Sequence, residues 1–334
     1  MKKKIFITGG AGYVGARLVN ELLKKKYEIT VYDIMYFGDH FLPKNNSDLT
    51  IIQGDIRDQK KLRDSCKNHD YFVHLACISN DTSFALDEKL STTINLDAFK
   101  PMVKIAKENG IKRFIYASSS SVYGVSDKKN VTEDHPLVPL TLYNKFKGMC
   151  EPQLLEETDN NFHGVVFRPA TVCGYSPRQR LDLSVNILTN FAVNKKFIKV
   201  FGGDQLRPNL HIADYCEAVF LLISADENKI KNEIFNVGYQ NLSIMQIAEK
   251  VKKVVEKEFS DISDVKIIRE KSDDIRSYHI NSDKIKDVLN FTPKYSIEDA
   301  ILELCDAFKK KLLTNTFNDD FYFNVKRLQN IQAN

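Results

Sequence analysis

The sequence predicts an α/β protein: a Rossmann-type, doubly wound parallel sheet followed by a smaller α/β lobe. Three observations predict it. Short apolar runs alternate with helical periodicity through roughly the first 120 residues, which calls for right-handed crossovers and a parallel sheet. A glycine-rich turn, Gly9 to Gly15, joins the first run to the first helix. An aspartate, Asp33, closes the second run about 20 residues further on, where a carboxylate can meet an adenosine ribose. The 334 residues are 43% hydrophobic and 28% charged, enough for a large core. The division expected is residues 1–172 for the sheet domain and 173–334 for the second lobe, with C-terminal segments returning to the first.

The elements follow in order. Lys4-Ile5-Phe6-Ile7-Thr8 is a strand, and Ala16 to Lys25 has the period of a helix. Between them the glycines at 9, 12 and 15 each meet a separate need, with backbone freedom at Gly9, close approach of a pyrophosphate at Gly12, and tight helix–strand packing at Gly15. The helix then presents its amino end, Tyr13 and Val14, to the phosphates. Ile29 to Tyr32 is the second strand, and the acid after it disfavours a 2′-phosphate, so NAD is expected rather than NADP. Leu49 to Gln53 is the third strand, leading to Gly54-Asp55-Ile56. Asp70 to Ala76 is the fourth, with Leu75 and small Ala76 at the end where a cofactor approaches. A helix near Leu90–Asn109 precedes the fifth, Phe114 to Ala117.

That fifth strand ends in Ser118-Ser119-Ser120-Ser121, and after a polar loop comes Tyr143-Asn144-Lys145-Phe146-Lys147. Tyr143 and Lys147 are four apart and share a helix face. Such a pair is common on solvated helices. Here it follows a strand that delivers hydroxyls to the same end of the sheet, so hydroxyl, phenol and ammonium can converge. A cation that brings a phenol from a pKa near 10 to about 7 must supply roughly 4 kcal/mol of differential stabilisation.

Composition excludes several classes. The net charge is +4 and no basic block is interleaved with aromatics, so no nucleic-acid partner is expected. Lys24-Lys25-Lys26 and Lys309-Lys310-Lys311 read as solvated helix ends. The six cysteines lack CxxC spacing and the seven histidines are dispersed, which suits a reducing compartment and gives no metal site. No apolar run approaches 18 residues and a strand begins within four residues of Met1, so neither a membrane span nor a signal peptide is expected, and the cytoplasm is the expected location.

Together, Thr8 to Gly15, Gly54-Asp55-Ile56-Arg57, His74-Leu75-Ala76, Ser118 to Gly124 and Tyr143 to Lys147 resemble, in order, the nucleotide-sugar epimerase/dehydratase family of the extended short-chain dehydrogenase/reductases. The resemblance covers most of the chain to about residue 305. It implies that Asp55 and Ile56 flank adenine, that Ser119 is the hydroxyl of the catalytic set, Tyr143 its acid/base, and Lys147 the activator and a ribose ligand. Asn95 falls where the family has a helical Asn near the site. Counting back from Val122 selects Ser119, with its three neighbouring serines as alternatives. In the family's 4,6-dehydratases the next two positions include an acid and a base for eliminating water. Here they are Ser120 and Ser121, which argues against that chemistry. Pro101 and Pro152 interrupt helical stretches and should kink or shift them, in a family whose helices pair as a homodimer.

After the sixth strand, Val165-Val166-Phe167, the resemblance implies that Pro169 to Thr171 line the cofactor and that Tyr175 contacts substrate. The segment Ser176-Pro177-Arg178-Gln179-Arg180 carries two arginines able to close on an anion, and Arg180 and Asn186 are taken as substrate candidates. Arg207, in an Arg-x-x-x-His-x-x-Asp segment ending at Asp214, and Arg276 are the candidate clamps on a nucleotide diphosphate. His211 and Asp214 read as organising that loop and capping the next helix. The tail from Thr314 to Asn334 has no functional reading.

The expected activity is NAD-dependent oxidation of a nucleotide-diphosphate sugar at carbon 4. If the hydride returns, the enzyme is an epimerase; if not, it is a net dehydrogenase whose NADH exchanges or is reoxidised in place by a small keto acid. The Arg168–Asn186 and Phe201–His211 segments resemble bacterial enzymes of surface-polysaccharide sugars, which favours a GDP-sugar such as a GDP-heptose. A non-catalytic NAD-binding regulator is the alternative of a different class, and the intact Ser119, Tyr143 and Lys147 set disfavours it.

Overall fold

The structure, a computed structural model, describes residues 2–126, 128, 130–271 and 277–333. The first half runs β1 (Lys4–Thr8), α1 (Tyr13–Lys24), β2 (Glu28–Asp33), β3 (Leu49–Gln53), α2 (Gln59–Ser65), β4 (Tyr71–His74), α3 (Asp81–Phe84), α4 (Glu88–Thr92), a π-helical turn (Thr93–Asp97), α5 (Phe99–Glu108), β5 (Arg113–Ala117), a 3-10 turn (Ser120–Tyr123), α6 (Leu142–Leu155) and β6 (His163–Pro169). The second half runs β7 (Thr171–Cys173), α7 (Ser184–Lys195), β8 (Phe197–Phe201), β9 (Leu206–His211), α8 (Ile212–Ser224), α9 (Glu227–Ile230), β10 (Glu233–Val237), β11 (Gln240–Ser243), α10 (Ile244–Glu258), β12 (Lys266–Glu270), α11 (Asp283–Leu289), α12 (Ile297–Lys309), a 3-10 turn (Asp320–Tyr322) and α13 (Asn324–Asn330).

Seven parallel strands form the main sheet in the order β10-β6-β5-β4-β1-β2-β3. Strand order reverses between β1 and β4, which opens a crevice at their carboxyl ends. Both faces of the sheet are covered, so its strands are apolar almost throughout. Ile5, Ile7, Val73 and Ile115 pack on one side with α1 and α8, while Phe6, Phe72, Phe114 and Tyr116 pack on the other with α5 and α6. The aromatic side is a stack across the strands, with ring centroids 5.1 Å apart for Phe6–Phe72 and 4.6 Å for Phe72–Phe114. The last strand of this sheet, β10, comes from the second half of the chain and pairs with β6 in register from Glu233 against Val165.

A second core joins α7, α10 and α12 to the small sheets β11-β9-β7 and β12-β8. No helix among the described residues is long and apolar enough to cross a membrane.

The two prolines sit in different surroundings. Just before Pro101 the helix widens into the π turn, where Ala98 N–H reaches back to Thr93 O at 3.1 Å, and α5 then starts at Phe99. A widened turn absorbs the ring that would clash with a regular α-helix. Helix α6 instead runs through Pro152 to Leu155.

A buried ionic network braces the sheet to α6. Arg168 of β6 donates to Glu151 of α6 at 3.0 Å (Nε) and 2.6 Å (Nη2), with 3% of each side chain exposed. Ser118 donates to the same carboxylate at 2.5 Å, and Arg168 Nη1 donates to Tyr123 Oη at 2.6 Å. Burial acts to lower the pKa of Arg168, but the Glu151 pair outweighs it and holds the guanidinium above its ordinary value. Removing one partner strands the other charge in a dry interior. Glu151→Ala is therefore expected to lower unfolding free energy by about 3–5 kcal/mol in urea titrations; a loss under about 1 kcal/mol would show that the pair does not brace the fold.

Candidate functional site

A cavity of about 380 Å³ opens at the carboxyl ends of β1, β2, β4, β5 and β6. Gly9, Gly12, Tyr13, Val14, Asp33, Asp55, Ile56, Leu75, Ala76, Ser119, Tyr143, Lys147, Pro169, Thr171 and Arg180 all line it. The glycine turn sets its floor. Gly9 has φ +76°, and a Cβ there would lie 2.5 Å from the backbone nitrogen of Ala76. A Cβ on Gly15 would lie 2.4 Å from Gly9 O, so α1 packs onto the turn only without one. Gly12 is the N-cap of α1, and no side chain caps the helix. The amino end of α1 is thus left to face the cavity.

These features fit NAD. An uncapped helix N-terminus suits a pyrophosphate, and two carboxylates stand near it. Asp33 is fixed by accepting from Ala11 N–H at 3.0 Å and Met35 N–H at 2.9 Å, and burial raises its pKa. Asp55 is gripped by Arg57, whose Nε lies 3.0 and 2.9 Å from its two oxygens.

The hydroxyl and the phenol come from adjoining elements. Ser119 caps the 3-10 turn by accepting from Ser121 N–H at 3.2 Å, and its Oγ lies 2.7 Å from Ser121 Oγ. Ser121 in turn donates to Asn144, the neighbour of Tyr143 on α6. Ser118 and Ser120 also line the cavity, but Ser118 donates its hydroxyl to Glu151 and Ser120 is 1% exposed within the turn. This arrangement leaves Ser119 and Ser121 as the paired hydroxyls of the wall.

The ammonium of Lys147 is anchored at the end of β5. Its Nζ donates to Ala117 O at 2.8 Å and lies 5.2 Å from the Tyr116 ring centroid, because a buried ammonium takes the carbonyl offered at the end of β5. Burial is what most raises the pKa of Tyr143, well above the ordinary phenol value, and the charge that opposes it is Arg180.

Four expected contacts lie elsewhere. Asn95 sits in the π turn and does not line the cavity. Its side chain accepts from Ile78 N–H at 2.8 Å and donates to Ile78 O at 2.9 Å, so it holds the segment after β4 in place. Tyr175 packs against Leu304, Ala307 and Leu313, away from the cavity, and its N–H donates to Glu303. Asn186 is fully buried and spends its amide on Gly174 N–H, Arg180 O and the Tyr13 hydroxyl. Arg207 lies on β9, outside the cavity lining, with its Nη1 on Leu206 O and its guanidinium over Tyr278. Arg276 lies outside the described residues.

Several lining residues had no individual signal in the sequence: Ser79, Asp81, Tyr215, Tyr278 and Asn324. Asn324 belongs to the tail. Its Nδ2 donates to Ser79 Oγ at 2.8 Å and its N–H to Asp182 at 3.1 Å, while Arg327 Nε donates to Tyr36 O at 2.7 Å. Only three-dimensional proximity could have found it.

The model of the NAD dependent epimerase/dehydratase family matches residues 5–238. A UDP-N-acetyl-alpha-D-glucosaminuronate decarboxylase of Bacillus cytotoxicus is 27% identical over 329 residues, covering 93% of this chain and 99% of that protein. A dTDP-glucose 4,6-dehydratase of an Actinoplanes species is 25% identical over 319 residues, covering 90% and 96%. A solved UDP-N-acetylglucosamine 4-epimerase from Methanobrevibacter ruminantium, in complex with UDP-N-acetylmuramic acid, superposes with a TM-score of 0.81 at 26% identity, covering 93% of this chain and 100% of that one.

Asn95→Ala is expected to cost about 1–3 kcal/mol of stability, the price of stranding two buried peptide groups, and to weaken NAD binding through Ile78. Urea denaturation and a binding titration read the two effects; an unchanged denaturation curve would mean that water replaces the amide.

Proposed function

The chain belongs to the NAD-dependent epimerase/dehydratase family, and we propose that it oxidises a nucleoside-diphosphate sugar at carbon 4. The observation that carries this reading is the wall formed by Ser119 and Tyr143 beside Lys147, with hydroxyls rather than carboxylates at positions 120 and 121. The names of the dehydratase and the epimerase above share carbon 4, which supports the same first step here.

Bound NAD supplies the hydride acceptor. Tyr143 would take the proton of the sugar hydroxyl, Ser119 would hold that oxygen in line, and Lys147 would hold the cofactor ribose. Arg207, whose guanidinium lies over the cavity-lining Tyr278, and Arg276 are the candidate clamps on the sugar nucleotide's diphosphate, which would supply binding energy remote from the reacting carbon. Removal of water for a dehydratase outcome needs an acid and a base next to Ser119, and the neighbouring Ser120 and Ser121 are neither. The reading favoured is a net 4-dehydrogenase acting on a sugar of surface polysaccharide, with a GDP-heptose first among substrates and a small keto acid reoxidising the cofactor. A 4-epimerase that returns the hydride is the competing outcome. A homodimer in the cytoplasm is the proposed setting, to be read by light scattering and fractionation.

Absorbance near 340 nm, followed while GDP-, UDP- and dTDP-sugars are supplied singly, separates the outcomes. A lasting rise stoichiometric with enzyme is expected; a converted sugar without that rise makes the protein an epimerase. Tyr143→Phe should bind NAD but lose at least about 100-fold in turnover, and undiminished turnover would remove the phenol from the mechanism. Because burial holds this phenol above its ordinary pKa, single-turnover oxidation should climb about tenfold per pH unit below that pKa. A flat profile from pH 6 to 9 would show that burial does not hold this phenol above its ordinary pKa in the loaded enzyme.

A further inference from the structure

We propose that Arg178 and Arg180 form the outer half of a diphosphate site, closing from the Ser176–Leu183 loop onto the pyrophosphate of the cofactor, opposite the amino end of α1. Both line the cavity, and both are buried, with 1% and 8% of their surface exposed. Their bonds hold them without satisfying them. Arg178 donates from Nη2 to Asn324 Oδ1 at 2.7 Å and lies 3.6 Å from the Phe37 ring centroid. Arg180 donates from Nε to Asp182 at 2.8 Å and from Nη1 to Ser79 Oγ at 3.3 Å. Among the described residues, Arg178 Nε and Arg180 Nη2 are buried with no acceptor.

Their neighbours order them along the cavity. Arg178 interacts electrostatically with Asp33 at the adenosine end, Arg180 with Tyr143 at the reacting end, and both with Tyr13, the first residue of α1, and with Asp182. The stretch between Asp33 and Tyr143 is where a dinucleotide's pyrophosphate passes the helix N-terminus. Charge points the same way. Burial, and then Arg180's like charge, bring Arg178 down to about 9, the mark of a cation short of a counter-charge. Two guanidiniums share Asp182, and a dianionic diphosphate supplies what is missing. The loop is braced for this position, since Ser176 Oγ donates to Tyr13 O at 2.6 Å.

A sugar nucleotide also carries a diphosphate, so the test must separate the two. The inference rests on the family's cofactor and not on the carbon-4 reading, and either can fail alone. ADP-ribose, adenosine and UDP-glucose are titrated calorimetrically into full-length, cofactor-free protein and into Arg178→Gln and Arg180→Gln. ADP-ribose should bind each variant about tenfold more weakly or worse, with adenosine changed by less than about twofold. Wild-type affinity for ADP-ribose should also fall more steeply with potassium chloride than that of either variant. Unchanged ADP-ribose affinity, or a loss confined to UDP-glucose, overturns the proposal. Should a glutamine variant fail to fold, Arg178→Lys and Arg180→Lys decide. Lysine keeps the charge but loses the fork, so weaker ADP-ribose binding with adenosine intact supports the site, and equal affinity overturns it.

Discussion

The buried pair of Arg168 and Glu151 is the constraint on which the rest of this molecule depends. It joins β6 to α6 in a place where neither charge reaches water, so both side chains are committed to one geometry. Through Ser118 it fixes the exit of β5, and through Tyr123, whose hydroxyl donates to Asn236 Oδ1 at 2.6 Å, it reaches β10. The exit of β5 carries Ser119, and α6 carries Tyr143 and Lys147. A hydroxyl and a phenol from separate elements stay aligned because the element between them cannot slide.

How much of this was legible in the sequence depended on where the information lay. The glycine turn, Asp33, the serines and the Tyr143–Lys147 pair were readable because each is a local backbone or helix-face requirement, stated within a few consecutive residues. Tyr175 and Asn186 were not. They lie where the chain leaves the main sheet, and a side chain's direction there depends on elements that arrive later, such as Glu303 of α12 for the Tyr175 peptide. Asn186 shows the difficulty well: an amide opening a helix near a site looks like a ligand group, but Gly174, Arg180 and Tyr13 use its capacity. Helical spacing gives the shared face of Tyr143 and Lys147, but not that the ammonium is anchored on the Ala117 carbonyl.

The π turn joins a local oddity to the site. Pro101 reads from sequence as a defect in a helix. In the fold, the widened turn just ahead of it places Asn95 where one amide satisfies both peptide groups of Ile78, and thereby the segment from Leu75 to Ser79 on the cavity rim. The proline and the asparagine belong to one device.

Asn324 closes the cavity against Ser79, a contact spanning 245 positions of the chain. A ribosome makes the protein from one end, so this wall is the last to be synthesised. From Thr171 to Asn324 are 324 − 171 = 153 residues, or roughly 8–30 s of translation at ~5–20 residues per second. For that interval the nascent chain has its glycine turn, its hydroxyls and its phenol, but not the asparagine that meets Ser79. The order of synthesis therefore makes the Ser79–Asn324 contact the final part of the cavity wall to form.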